Sequence, residues 1–158
     1  MAKIELVPMT AQEFEAWLPG EIAGYAAEHV RTGRWSEEEA VGLSRDEHTR
    51  LLPQGLATPD HRLWNIVPAG SGEAVGMLWI QVMQKPMPSV FIYNIEIYPQ
   101  FRRRGYAEQA MLRLEEEARR LGLEGIRLHV FGHNTAARPL YEKLGYVPTN
   151  IQMLKRLT

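Results

Sequence analysis

The feature that most constrains this chain is a junction between two kinds of segment. Val90-Phe91-Ile92-Tyr93-Asn94-Ile95-Glu96-Ile97-Tyr98 is β-branched and aromatic, as a central strand should be, and Pro99 stops it. Gln100-Phe101-Arg102-Arg103-Arg104-Gly105-Tyr106-Ala107 then leads into a segment with helical apolar spacing at Ala107, Ala110, Met111, Leu114, Ala118 and Leu121. A helix start offers unpaired N–H groups and the positive end of a dipole, and glycine lets a backbone approach a ligand closely. Arginines add charge and forked donors. The junction therefore reads as a grip for an anion such as a phosphate.

Composition sets broader bounds. A chain of 158 residues with 45% hydrophobic and 23% charged residues is long enough for one ordinary globular domain with a real core. A net charge of -1 argues against a general nucleic-acid binder. The charge is uneven, however. Residues 1–99 carry 7 Lys+Arg against 13 Asp+Glu (-6), and residues 100–158 carry 11 against 6 (+5). If the halves meet at a cleft, the basic half suits an anionic cofactor and the acidic half a cationic acceptor; solvated helix faces give the same counts.

Cysteine is absent, which excludes disulfides, thiolate metal sites and a cysteine nucleophile. His29, His48, His61 and His133 lack metal-ligand spacing, so no metal is expected, and surface or capping roles are expected for these histidines. Met1-Ala2-Lys3-Ile4-Glu5-Leu6 has early charges and no apolar run of the secretory kind, and the apolar stretch 74–80 is too short to span a bilayer. The expectation is a cytoplasmic protein without a membrane partner.

Elsewhere, Ile4-Glu5-Leu6-Val7-Pro8 suits an edge strand. Thr10 with Glu13, and Ser36 with Glu39, have capping-box spacing, which predicts one helix broken or bent at Pro19-Gly20 and a second reaching about Leu52. Strands are predicted around 63–67, 74–82, 90–98 and 126–131. A shorter helix opens at Asn134, and Tyr146-Val147 and residues 151–157 supply candidate final strands.

Two segments then act together. The strand ending Ile97-Tyr98-Pro99 and the pattern Arg102-x-x-Gly105-x-Ala107 are followed by Asn134, Ala137, Leu140-Tyr141 and Gly145-Tyr146. In order and separation these resemble the GCN5-related N-acetyltransferase (GNAT) superfamily. Gly33-Arg34-Trp35-Ser36 and 51–56 are similar to a bacterial subgroup of uncharacterised acetyltransferases. The resemblance implies an α/β fold with a mixed, mostly antiparallel sheet of six or seven strands flanked by helices, in a single N-acetyltransferase domain over residues 1–158. It implies acetyl-coenzyme A as cosubstrate and a small-molecule or peptide amine as acceptor, and a homodimer would be unsurprising.

Carried over residue by residue, the resemblance implies that the amides of Arg102, Arg103, Arg104, Gly105, Tyr106 and Ala107 hold the coenzyme A pyrophosphate. Ile97 offers backbone groups to the pantetheine arm and the thioester carbonyl, and Asn134 hydrogen-bonds that arm or caps the next helix. Tyr141 acts as general acid. An unperturbed phenol, with a pKa of about 10, stays protonated at neutral pH and can donate to a departing thiolate. The base that deprotonates the acceptor is Glu96, His129 or a water chain. Alternation sets Glu96 on the face opposite Ile95 and Ile97 unless a bulge intervenes, and the predicted strand places His129 at its middle. Two competing readings are an acyl-coenzyme A binding or sensing module without turnover, which an intact Tyr141 disfavours, and a nucleic-acid-binding module, which the overall charge disfavours.

Overall fold

In the computed structural model, which describes residues 3–157, the chain divides into two compact units, Met1–Leu128 and His129–Thr158. Met1 and Ala2, part of the segment used above to argue against a secretory leader, lie outside the described residues. The first unit runs β1 (Ile4–Pro8), α1 (Ala11–Arg31), α2 (Glu37–Leu51), β2 (His61–Pro68), β3 (Gly76–Met83), β4 (Ser89–Ile97), α3 (Tyr106–Arg120) and β5 (Gly125–Leu128). The second contains α4 (Ala137–Lys143). No helix among the described residues is long and apolar enough to cross a membrane.

The sheet order is β1-β2-β3-β4-β5, antiparallel except for the parallel β4–β5 pair. The fold class is thus the expected mixed, mostly antiparallel α/β one, with five strands among the described residues instead of six or seven. The two final strands do not form. Val147 precedes a proline, which removes a ladder donor, and residues 151–157 pair with no strand. Ile151, Met153 and Leu154 are accordingly exposed.

Of the break or bend expected at Pro19-Gly20, the break does not occur: α1 runs as one helix through Pro19. Phe14, Ile22, Ala26 and His29 are all buried at helical spacing, so tertiary packing on both sides of the proline outweighs the lost hydrogen bond. Both capping boxes form as read, with Glu13 N donating to Thr10 Oγ1 at 3.1 Å and Glu39 N to Ser36 Oγ at 3.3 Å.

Strand alternation sorts the core into two layers. Leu63, Met77 and Trp79 cluster with Met9, Phe14 and Leu52, with Trp17 and Leu18 packed against them, so this face lies under α1 and the end of α2. Trp64, Ile66, Leu78 and Ile80 point the other way, toward the side where Arg62 of β2 pairs with Glu117 of α3 at 3.3 Å. The fully buried Met111 and Leu114 of α3 fill that layer.

One irregularity in β4 positions everything that follows. Trp79 pairs with Asn94 and Ile80 with Ile92, so Tyr93 is an extra residue on β4. A bulge of this kind bends the strand and inverts the facing of every later side chain. Pairing between β4 and β5 ends at Ile92↔Leu128, whereas β4 continues to Ile97.

Candidate active site

The turn that joins β4 to α3 is wound tightly. Arg103 (φ 65) and Gly105 (φ 81) are both left-handed, which winds the chain sharply immediately before the helix start. Gly105 is the N-cap of α3 and supplies no side-chain cap, unlike Thr10 and Ser36 at the other two long helices. The first-turn amides of α3 therefore lack the side-chain acceptor that α1 and α2 carry. Two of the arginines serve the turn itself. Arg102 Nε donates to the Ile97 carbonyl at 2.8 Å, and Arg104 Nη2 donates to the Gln100 carbonyl at 3.4 Å.

The end of β4 has a backbone edge to offer. Tyr98 N donates to Val75 O at 2.9 Å, which makes the adjacent Gly76↔Ile97 pair a non-hydrogen-bonded one. In such a pair both main-chain groups face away from the partner strand. The Ile97 N–H, and by the same alternation the N–H and carbonyl of Ile95, thus point to the edge that β5 no longer pairs, where the Ile97 carbonyl is taken by Arg102. The bend sits at Tyr93, upstream of Ile97.

Beside this edge, on the α1 side of the sheet, lies a cleft of about 500 Å³ lined by Glu13, Trp17, Glu21, Asn65, Glu96 and Tyr98, among others. The bulge is the reason Glu96 lines it. Without the extra Tyr93, Glu96 would share the face of Val90 and Ile92; with it, Glu96 follows Asn94 onto the face of Trp79 and Met77. Burial pushes the Glu96 carboxyl above the ordinary carboxylate range, the neighbouring Glu21 charge pushes it further, and Arg102 pulls partly back. Glu13 is lowered, chiefly by the main-chain N–H of Thr10, and its other oxygen accepts from Asn65 Nδ2 at 3.0 Å. Glu21 accepts from Asn94 Nδ2 at 2.7 Å. The cleft is acidic and aromatic.

Ile97, Glu96 and residues 102–107 are therefore brought together in the first unit. Asn134, Tyr141 and His129 belong to the second. There, Asn134 Oδ1 accepts from Ala137 N at 3.2 Å, but the N-cap of α4 is Ala136, so Asn134 stands two residues ahead of the capping position expected of it. Burial raises the Tyr141 phenol above its ordinary value, so it remains protonated at neutral pH. His129 is not in mid-strand as expected. β5 stops at Leu128 because the bulge bends β4 away from straight pairing, and His129 is exposed.

The expected surface histidines also need correction. His29, His48 and His61 are buried, with Trp79 Nε1 donating to His61 Nδ1 at 3.0 Å. Glu13, read above only as a capping partner of Thr10, lines the cleft together with Trp17 and Glu21, and the sequence held a signal for this grouping. Positions 13, 17 and 21 share one face of a helix at successive turns. Asn94 and Asn65 carried no comparable signal.

A mixed sheet with an unpaired edge on its central strand, an uncapped helix start next in sequence and a carboxylate cleft alongside has the equipment of an acyltransferase. Comparison with known proteins makes the class specific. Residues 27–146 match the Acetyltransferase (GNAT) family, and the chain belongs to that family. It is 41% identical to the uncharacterized N-acetyltransferase YycN of Bacillus subtilis (strain 168) over 98% of this chain and 99% of YycN, and 39% identical to YdgE of the same organism over 96% and 97%. The crystal structure of YycN superposes with a TM-score of 0.93, covering 99% of both chains. The structure of AAC(6')-Iy in complex with the bisubstrate analog CoA-S-monomethyl-acetylneamine shares the fold with a TM-score of 0.60 at 17% identity over 99% of both chains.

Proposed function

We propose that residues 1–158 act as one N-acetyltransferase domain that moves the acetyl group of acetyl-coenzyme A directly to an amine, either a small molecule or a peptide. The observation that carries this reading is the division of labour in β4 beyond Tyr93. Main-chain groups of Ile95 and Ile97 face the open edge, while the side chains of Asn94 and Glu96 face the acidic cleft.

The donor chemistry of the turn fits the cosubstrate. Main-chain N–H groups of residues 102–107 and the start of α3 suit a diphosphate, and an extended pantetheine arm can add to the open β4 edge as a strand would. When bound, acetyl-coenzyme A supplies the activated acetyl group. Glu96 takes a proton from the acceptor ammonium, and the acidic cleft favours that cation's approach. The Ile97 N–H meets the thioester oxygen as charge develops there. The acceptor N–C bond forms as the C–S bond breaks; Tyr141, assigned as general acid on its motif, gives its proton to the departing thiolate, and the second proton lost by the new amide nitrogen restores the phenol. Asn134 is assigned to the pantetheine arm on its motif.

A thiol-release assay over lysine peptides, peptides with free N-termini, polyamines, aminoglycosides and amino acids tests the reading. Turnover with at least one amine class is expected, whereas tight acetyl-coenzyme A binding without turnover on any of them would favour a sensing module. Tyr141→Phe is expected to lower kcat about a hundredfold with KM for acetyl-coenzyme A nearly unchanged, because only the proton to the leaving group is lost.

A further inference from the structure

Behind the cleft, α1 and α2 hold a buried pair that the reaction above does not use. His48 Nδ1 lies 2.8 Å from the Ser44 carbonyl, a geometry in which that nitrogen carries a proton and donates it. Titration is thereby confined to Nε2, which faces Glu21 Oε1 at 3.7 Å. Both side chains are more than nine-tenths buried, at 4% and 9% exposure. Glu21 is anchored from the other side by Asn94, two residues before Glu96 on β4, and Glu21 and Glu96 line the same cleft.

We infer that Glu21 and His48 are positioning residues for acetyl transfer: a buried charge pair that sets the field in which Glu96 takes up the acceptor's proton. The inference rests on the reading of Glu96 as base. Protonated at Nε2, His48 offsets the Glu21 charge. Without that proton, the Glu21 carboxylate acts undiminished on Glu96 and opposes its ionisation.

The surroundings support this assignment. Burial depresses the His48 imidazolium, but the hydrogen bonds to Glu21 and the Ser44 carbonyl and the charges of Glu21 and Glu47 outweigh it, so its pKa ends above the ordinary histidine value. From α1, Tyr25 also stacks edge-on against His48; its phenol is pushed up to about 12 and stays neutral. From α2, Glu47 is partly neutralised by Arg34 at 3.2 Å. From β3, Trp79 brings no charge, and its indole N–H is committed to His61. Around Glu96 the charged and titratable neighbours are Glu21, Arg102 and Tyr98.

The test uses the full chain and two readouts. Carbon-13 NMR titration of the Glu96 carboxyl reads the coupling directly, and the acidic limb of kcat/KM reads its consequence. His48→Gln, which removes the compensating charge, is expected to move the Glu96 titration about one pH unit upward. Glu21→Gln is expected to move it about one unit downward. The double variant should follow Glu21→Gln, because His48 acts only through Glu21. A purely structural role would lower activity at every pH and leave the Glu96 titration in place. If neither folded variant shifts that titration, or both shift it in the same direction, the inference is overturned. If the titration moves as expected while the acidic limb does not, the pair stands and the assignment of Glu96 as base falls. Should His48→Gln not fold, the sign of the Glu21→Gln shift decides alone: a downward shift supports the inference and none overturns it.

Discussion

Glu96→Gln is expected to lower kcat/KM for amine acetylation by about a hundred- to ten-thousand-fold at neutral pH while making the protein more stable. The kinetic half follows from removing the proton acceptor in the cleft. The ratio of wild-type to variant activity should shrink as pH approaches the acceptor amine's own pKa, because an already neutral amine needs no base. The stability half follows from the environment of Glu96. Burial and the charge of Glu21 raise its folded pKa, so the folded state holds this proton more tightly than the unfolded chain does. Its contribution to stability is present below the unfolded carboxylate pKa of about 4.3 and is lost as pH rises through the folded value. The glutamine variant should therefore show a higher Tm than wild type at pH 8 and little or no advantage at pH 4. Thermal melts at both pH values check the sign, and a Tm lowered equally at both would refute it.

The second large effect is expected at Gly76, which carries no chemistry. A Cβ added there would lie 2.1 Å from the Glu96 carbonyl oxygen and 3.0 Å from the Ile97 Cα, both backbone atoms that cannot swing aside. Gly76→Ala must therefore push β3 and β4 apart where β4 presents Glu96 to the cleft and Ile97 to the open edge. Overpacking of this kind costs about 1–3 kcal/mol, and the upper end is expected where main chain has to move. Chemical denaturation should show a lower midpoint at an unchanged slope. KM for acetyl-coenzyme A should rise with it, since the Ile97 N–H shifts. Gly24→Ala makes a fitting control, because nothing lies within 4 Å of the Cβ position there and the residue is exposed away from the cleft lining.

The sequence carried the scaffold well because its signals are local. Thr10 with Glu13 and Ser36 with Glu39 are spaced to satisfy their own helix starts, and Arg102-x-x-Gly105 marks its turn by residue types that few other conformations favour. What escaped was non-local. The extra residue at Tyr93 is defined only by pairing with Trp79 and Ile80, so no inspection of β4 alone could locate it, yet it decides which face Glu96 occupies. Asn94 and Glu21 meet across 73 positions of sequence, and His48 joins them from a third element. Whether Pro19 breaks α1 or leaves it whole was likewise undecided locally, because packing on distant strands, not local propensity, keeps the helix continuous. The last strands were read from short apolar alternation, which specifies a strand only when a neighbour takes up its backbone groups.

The Tyr93 bulge has a consequence for how such a chain can diversify. Beyond it, β4 separates two specificities by atom type: whatever lies along the open edge is met by peptide groups that every residue possesses, and whatever lies in the cleft is met by side chains that any point mutation can replace. Substitutions at position 94, which leave the base at Glu96 in place, can rewrite the taste for one ligand while the other is handled by main chain. A one-residue deletion at the bulge would do the opposite, turning both side chains into the α3 layer and emptying the cleft of its chemistry at a stroke.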